Sequence, residues 1–107
     1  MSEKVYKNFI NGEWVDSKSG ETFENRNPAD TDDLVGIFQK SNADDVKSAV
    51  DAAAEAYKSW RLVPAPKRGE ILYRVANRLL AEKEPCPQMM TREMGKPITE
   101  ARAEADK

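Results

Sequence analysis

The sequence predicts an α+β fold: N-terminal antiparallel β-hairpins followed by three to four α-helices. Three observations carry this. In Phe9-Ile10-Asn11-Gly12-Glu13-Trp14-Val15, Asn-Gly sits between two apolar residues and an alternating Trp and Val. Asn-Gly accepts the positive φ that both central residues of a type I′ hairpin turn require. Near residue 41 the apolar period changes from about 2 to about 3.6, the switch from strand to helix. Beyond that point Pro64, Pro66, Gly95 and Pro97 fall where helices start and stop.

Residues 1–40 read as β-ribbon and turn. The first hairpin is expected over about Lys7 to Val15. Asp16-Ser17-Lys18-Ser19-Gly20 is a polar turn cluster. Thr22 to Asn25 is a second extended segment. Asn27-Pro28-Ala29-Asp30 is a turn, because Pro28 holds its own φ and disfavours helix at Asn27. Leu34-Val35-Gly36-Ile37-Phe38 is a short apolar strand, and segments 22–26 and 34–38 are expected to pair as an antiparallel ribbon.

Residues 41–107 read as helical. Ser41 or Asn42 can cap a helix over about 43–60, with Asp44 and Asp45 in the first turn, where the dipole favours negative charge. Val46, Val50, Ala53, Tyr57 and Trp60 follow the spacing of one helical face. Pro66 suits the first turn of the next helix. Ile71, Leu72, Val75, Ala76, Leu79 and Leu80 form its apolar stripe, and the helix is expected to reach about Ala81. Pro85 and Pro87 are expected to interrupt a helix that would otherwise run through Gln88 to Met94. Gly95 suits the left-handed position after a helix. Residues 99–106 look helical again but carry little that is apolar beyond Ala101, Ala103 and Ala105.

The bulk properties narrow the functional classes. At 107 residues the chain is one small domain. Its 17 basic and 19 acidic residues give a net charge of −2 with no basic block, so no nucleic-acid partner is expected. No apolar run approaches the roughly 20 residues of a membrane span, so no membrane is expected. The start, Met1 to Tyr6, lacks the apolar stretch of a signal peptide, and a cytoplasmic location is the expectation. One cysteine and no histidine exclude an intramolecular disulfide, a Cys-His dyad and a Cys/His zinc site within one chain.

Several residues invite a functional reading and do not sustain it. Cys86 has Glu82 and Glu84 nearby, which work against the electropositive setting a reactive thiol needs. Asp30, Asp32 and Asp33 lack the ligand and glycine spacing of a calcium loop, so turn solvation is preferred there, as is helix capping for Asp44 and Asp45. Gly95-Lys96 is followed by Pro97 and preceded five residues earlier by Met90, so it is not a P-loop. Trp14 and Trp60 read as packing residues.

The ordered series Phe9 to Val15, Asn27-Pro28-Ala29, the Ala-rich helix ending at Trp60, Arg68 with Ile71-Leu72, and Arg92-Glu93-Met94-Gly95-Lys96-Pro97 with Glu100-Ala101-Arg102 resembles the beginning of an NAD(P)-dependent aldehyde dehydrogenase. The resemblance runs from about Tyr6 to Glu104, and Glu-Met-Gly-Lys looks most like the semialdehyde-oxidising branch. It implies the start of that family's α/β fold, with residues 1–107 as the N-terminal part of the cofactor-binding domain and no complete second domain. In such enzymes a cysteine thiolate adds to the aldehyde, hydride passes to NAD or NADP, and a glutamate activates water. None of these parts has a counterpart here: Cys86 lacks the Gly-Gln context of the family nucleophile, no catalytic or cofactor-binding residue is assigned, and no cofactor is expected for this chain. The resemblance also implies a monovalent cation site, with backbone oxygen from Asn25 and Arg26 and the carboxylate of Glu93.

The expectation is therefore an aldehyde dehydrogenase-like fragment, inactive alone, that self-associates or joins the remainder of such an enzyme. The other reading is a non-catalytic interaction module that docks on an intact homologue. Uncovered apolar faces at 46–60 and 71–80 would forfeit about 1.5–3 kcal/mol per large side chain, so marginal stability is expected.

Overall fold

The computed structural model describes residues 4–106; residues 1–3 and 107 of the expected domain lie outside this range. In chain order it contains β1 (Val5–Tyr6), β2 (Asn8–Ile10), β3 (Glu13–Val15), β4 (Thr22–Asn27) and β5 (Asp30–Gln39). Four helices follow: α1 (Ala43–Trp60), α2 (Ala65–Ala81), α3 (Pro85–Met94) and α4 (Ile98–Ala105). The fold is α+β. Two compact units are formed, one from residues up to 25 with 36–63, the other from 26–35 with residues from 64 onward.

In the first unit, β2 and β3 form the expected hairpin, with Phe9 opposite Trp14 and Asn8 opposite Val15. Asn11 at φ 55° and Gly12 at φ 77° make the turn, both in the left-handed region that an Asn-Gly pair tolerates. Phe9 and Trp14 meet with ring centroids 4.8 Å apart. Yet Trp14 is 67% exposed, so it covers its cross-strand partner rather than filling a core.

β1 pairs parallel with β5, Val5 beside Ile37 and Tyr6 beside Phe38. Nothing local marks β1, because two residues are too few to show a period. Tyr6 stacks on Phe38 at 4.9 Å and lies over Gly36, where a Cβ would come within 2.5 Å of the Tyr6 ring. Glycine at 36 is what lets the ring close on the strand.

The sheet order is β1-β5-β4. β4 and β5 are joined through Pro28-Ala29 alone, a connection short enough only for antiparallel neighbours. The turn is tighter than the sequence suggests, and Asp30 to Asp33 are strand residues instead of turn residues. The reason is the Asn27 side chain, which accepts the Ala29 N–H at 2.9 Å and closes the reversal locally, so β5 starts at once.

In the second unit the main correction concerns Pro85 and Pro87. They do not interrupt a helix; they open one. α2 ends at Ala81, and α3 begins at Pro85 itself. Residues in a helix's first turn have no intrahelical acceptor for their N–H, so two prolines there cost little. Pro87 is fully buried. α3 ends at Gly95, left-handed at φ 78°.

α4 packs against α3 through Ala101, which is wholly buried. Its shortage of apolar residues is offset by ion pairs: Lys83 to Asp106 at 2.9 Å, Arg102 to Glu84 at 3.0 Å, and Lys96 to Glu104 at 3.1 Å.

Candidate functional site

The best-built polar site of the first unit surrounds Asp45 in the first turn of α1. Asn42 caps the helix by accepting the Asp45 N–H at 3.1 Å, and the Asp45 carboxylate takes the Asn42 N–H in return at 2.9 Å. This is a capping box with Asn and Asp in place of the usual Ser/Thr and Glu. The same carboxylate receives the Ser17 hydroxyl at 2.5 Å and the Lys18 N–H at 2.9 Å, so a buried side chain ties the 16–20 turn to the helix. These hydrogen bonds, Ser17's first and then those of the Lys18 and Asn42 amides, hold its pKa below the ordinary 3.8. Gln39 completes the lock. It accepts the Ser17 N–H at 2.7 Å and donates to the Tyr6 carbonyl at 3.2 Å.

The counterpart in the second unit is Asp33. Arg92 grips it with two hydrogen bonds, Nε at 3.0 Å and Nη2 at 2.7 Å, and reaches the Leu34 carbonyl at 3.2 Å. Asn27 adds a weaker bond at 3.3 Å. Arg92 first and Asn27 second hold the Asp33 carboxyl below its ordinary value. Beside this clamp a Cβ on Gly95 would stand 3.4 Å from the Pro28 ring. The tip of the β4–β5 ribbon is thus seated on the end of α3.

The residues of the expected cation site are placed as follows. Asn25 is half-buried on β4 in the first unit. Arg26, exposed and in the second unit, donates from Nη1 to the Thr31 carbonyl at 3.1 Å. Glu93 lies exposed in the last turn of α3 and makes no hydrogen bond or ion pair among the described residues. No group of three or more His, Cys, Asp or Glu among the described residues could hold a metal ion. The motif residue whose contact the sequence does not reveal is Arg92, whose partner lies 59 positions away. Cys86, half-buried, is the second residue of α3.

The largest unassigned feature is apolar. On α1, Val46, Val50 and Tyr57 are each 60–62% exposed. On α2, none of the 17 residues is buried, and Ile71, Val75 and Leu79 line an open groove with Arg74 and Arg78 along it. Trp60, expected to pack, is 41% exposed. These faces have the periodicity of core helices and no cover among the described residues.

A dinucleotide does not fit the strand-to-helix junction that the described residues offer. Between β5 and α1 the chain runs Lys40-Ser41-Asn42, with no glycine turn, and of the N–H groups at the start of α1 that of Asp45 already engages the Asn42 side chain. A pyrophosphate needs those N–H groups and a glycine-lined approach.

An aldehyde dehydrogenase family model matches residues 14–107, so the chain belongs to that family. It is 46% identical over 102 residues to an alpha-ketoglutaric semialdehyde dehydrogenase of Bacillus subtilis, covering 95% of this chain and 21% of that one. It is 47% identical over 102 residues to a malonate-semialdehyde dehydrogenase of Lacticaseibacillus casei, covering 94% and 20%. The crystal structure of an NAD-dependent aldehyde dehydrogenase from Sinorhizobium meliloti superposes with a TM-score of 0.90 at 32% identity, covering 97% of this chain and 21% of that one. A betaine aldehyde dehydrogenase from Staphylococcus aureus, in complex with NAD+, gives 0.89 at 26% identity, covering 94% and 20%. The chain spans about a fifth of the length of these relatives, and its fold matches the start of theirs. No described helix is long and apolar enough to cross a membrane.

Proposed function

We propose that this chain is the N-terminal scaffold of a cytoplasmic, NAD(P)-dependent semialdehyde dehydrogenase, without oxidising activity by itself, and that its uncovered helix faces seat the rest of such an enzyme. The observation that carries the reading is the pair of exposed apolar stripes on α1 and α2 in a chain of this family. A helix stripe of this kind is stable only against another apolar surface. The semialdehyde substrate class is supported by the Bacillus and Lacticaseibacillus relatives, both semialdehyde dehydrogenases, and the nicotinamide cofactor by the structural neighbours. The polar clusters at Asp45 and Asp33 are read as scaffold: each carboxylate is consumed by internal hydrogen bonds.

Complementation tests this. The 107-residue chain is co-expressed with a semialdehyde dehydrogenase polypeptide that lacks the matching N-terminal fifth, and NAD(P)H formation is followed. No activity from either piece alone and recovery on co-expression are expected. Oxidation by the 107-residue chain alone would sink the reading, as would failure of the two pieces to co-purify.

A further inference from the structure

We propose that the outer edge of β4 pairs with β4 of a second copy of this chain, antiparallel about a two-fold axis at Asn25. β4 ends the three-stranded sheet, with β5 on one side and no strand on the other among the described residues. Its six residues, Thr22 to Asn27, include neither proline nor lysine, and its two exposed charges, Glu24 and Arg26, are of opposite sign, so they repel a neighbouring strand only in the wrong register. An open edge of this kind presents backbone N–H and C=O groups to any strand that can match its side chains.

The side-chain pattern selects the occupant. Along β4 the exposure alternates over its second half, with Glu24 and Arg26 outward and Asn25 and Asn27 half-buried. In an antiparallel pair centred on Asn25, residues whose numbers sum to fifty lie directly opposite one another. Glu24 then faces Arg26 of the second copy, and Arg26 faces Glu24 of the second copy. The outer face carries four charges of alternating sign, and opposite charges in direct cross-strand register stabilise the pairing. On the other face Asn25 meets its own symmetry mate, and amide side chains are self-complementary donors and acceptors. Arg26 uses Nη1 for the Thr31 carbonyl, and a guanidinium has five N–H donors to distribute. A two-fold pair closes on itself, giving one six-stranded sheet of order β1-β5-β4-β4-β5-β1 and not a growing fibre. This interface involves neither apolar helix face and does not rest on the proposed enzyme role.

Sedimentation velocity over a concentration series tests it on the 107-residue chain and three variants: Glu24→Arg, Arg26→Glu, and the two together. Each single reversal sets like charges opposite each other twice and is expected to weaken the dimer by about tenfold or more. The double reversal restores the alternating pattern and is expected to regain the dimer. Both positions are exposed strand residues, and circular dichroism checks that each variant keeps its fold. Higher salt is expected to weaken the unchanged dimer. A monomeric unchanged chain would overturn the proposal. Equal association by all four chains would overturn it too and assign self-association to the apolar helix faces. Failure of the double variant to recover would also count against it.

Discussion

The two compact units are held together by different physics. The first is organised around a buried carboxylate. Asp45 collects a hydroxyl and two backbone N–H groups from the 16–20 turn and the start of α1, and Tyr6 stacks tightly over Gly36 nearby in the sheet. The second relies on ion pairs that are half in water. Arg92 is 40% and Asp33 30% exposed as side chains, and α4 is tied by three more pairs around one buried alanine. Buried, saturated hydrogen-bond networks are intolerant of single losses, whereas partly exposed pairs are weaker and screened by salt. The first unit should therefore fail at single residues, and the second should soften with ionic conditions.

The most damaging perturbation is expected to be acid, because it strikes both units. Asp45, Asp33 and Glu84 all have folded pKa values below their ordinary 3.8, 3.8 and 4.5. A depressed folded pKa means that the group contributes its stability in full above the ordinary carboxylate range, and loses it as pH falls through the folded value. Far-UV circular dichroism should hold from neutrality to about pH 4 and fall below it. Retention of the full signal at about pH 2 would contradict the assignment.

Next in size is Asp45→Ala. It removes the acceptor for the Ser17 hydroxyl and the Lys18 N–H and opens the capping box. Hydrogen exchange should show α1 losing protection from its N-terminus, and the loss of Tm should exceed that of any other single variant described here. Asn42→Ala removes only the cap and should cost about 0.5–2 kcal/mol. If the two variants were equal, the long-range half of the lock would be idle.

Gly36→Ala should cost about 1–3 kcal/mol, the usual range for forcing extra volume into a packed contact. Its Cβ would overlap Tyr6, whose ring cannot swing away without leaving Phe38. Tyr6→Ala in the same background should recover part of the loss in a urea melt, since it clears the overlap.

In the second unit, Arg92→Lys keeps the charge but cannot make the two-pronged contact with Asp33. A smaller drop in Tm than for Gly36→Ala is expected, and it should shrink further in high salt. Salt-independence of the loss would mean that packing, not charge, was removed. Least of all, Lys47→Ala should cost only about 0.3–0.5 kcal/mol, because the Lys47–Asp51 pair lies exposed on α1 at 2.7 Å.

Much of the architecture is legible in the sequence, and the reasons are local. The hairpin at Asn11-Gly12, the helix start at Ser41 or Asn42, the left-handed stop at Gly95 and the stripes of α1 and α2 all follow from residues within a few positions of each other. In the sequence Asp45 stands out only as a negative charge in the first turn; its reciprocal bonds with Asn42 appear in the fold. What was not legible is which polar residues would meet. Asp33 reads as a turn residue and Arg92 as part of the motif that runs to Pro97, and only folding brings them to 2.7 Å. Ser17 and Asp45, 28 positions apart, are a similar case.

By itself, then, the sequence determined the kinds of element, most of their ends and the family, because backbone sterics, capping and apolar period act over one or two turns of chain. The tertiary structure decided the parallel pairing of β1 with β5, the use of Pro85 and Pro87 as a helix start, and the two carboxylate locks. It also decided that the apolar faces of α1 and α2 stand open. Each of these depends on groups far apart in the chain, where the entropy of closing the intervening loop is weighed against contacts that no local pattern encodes.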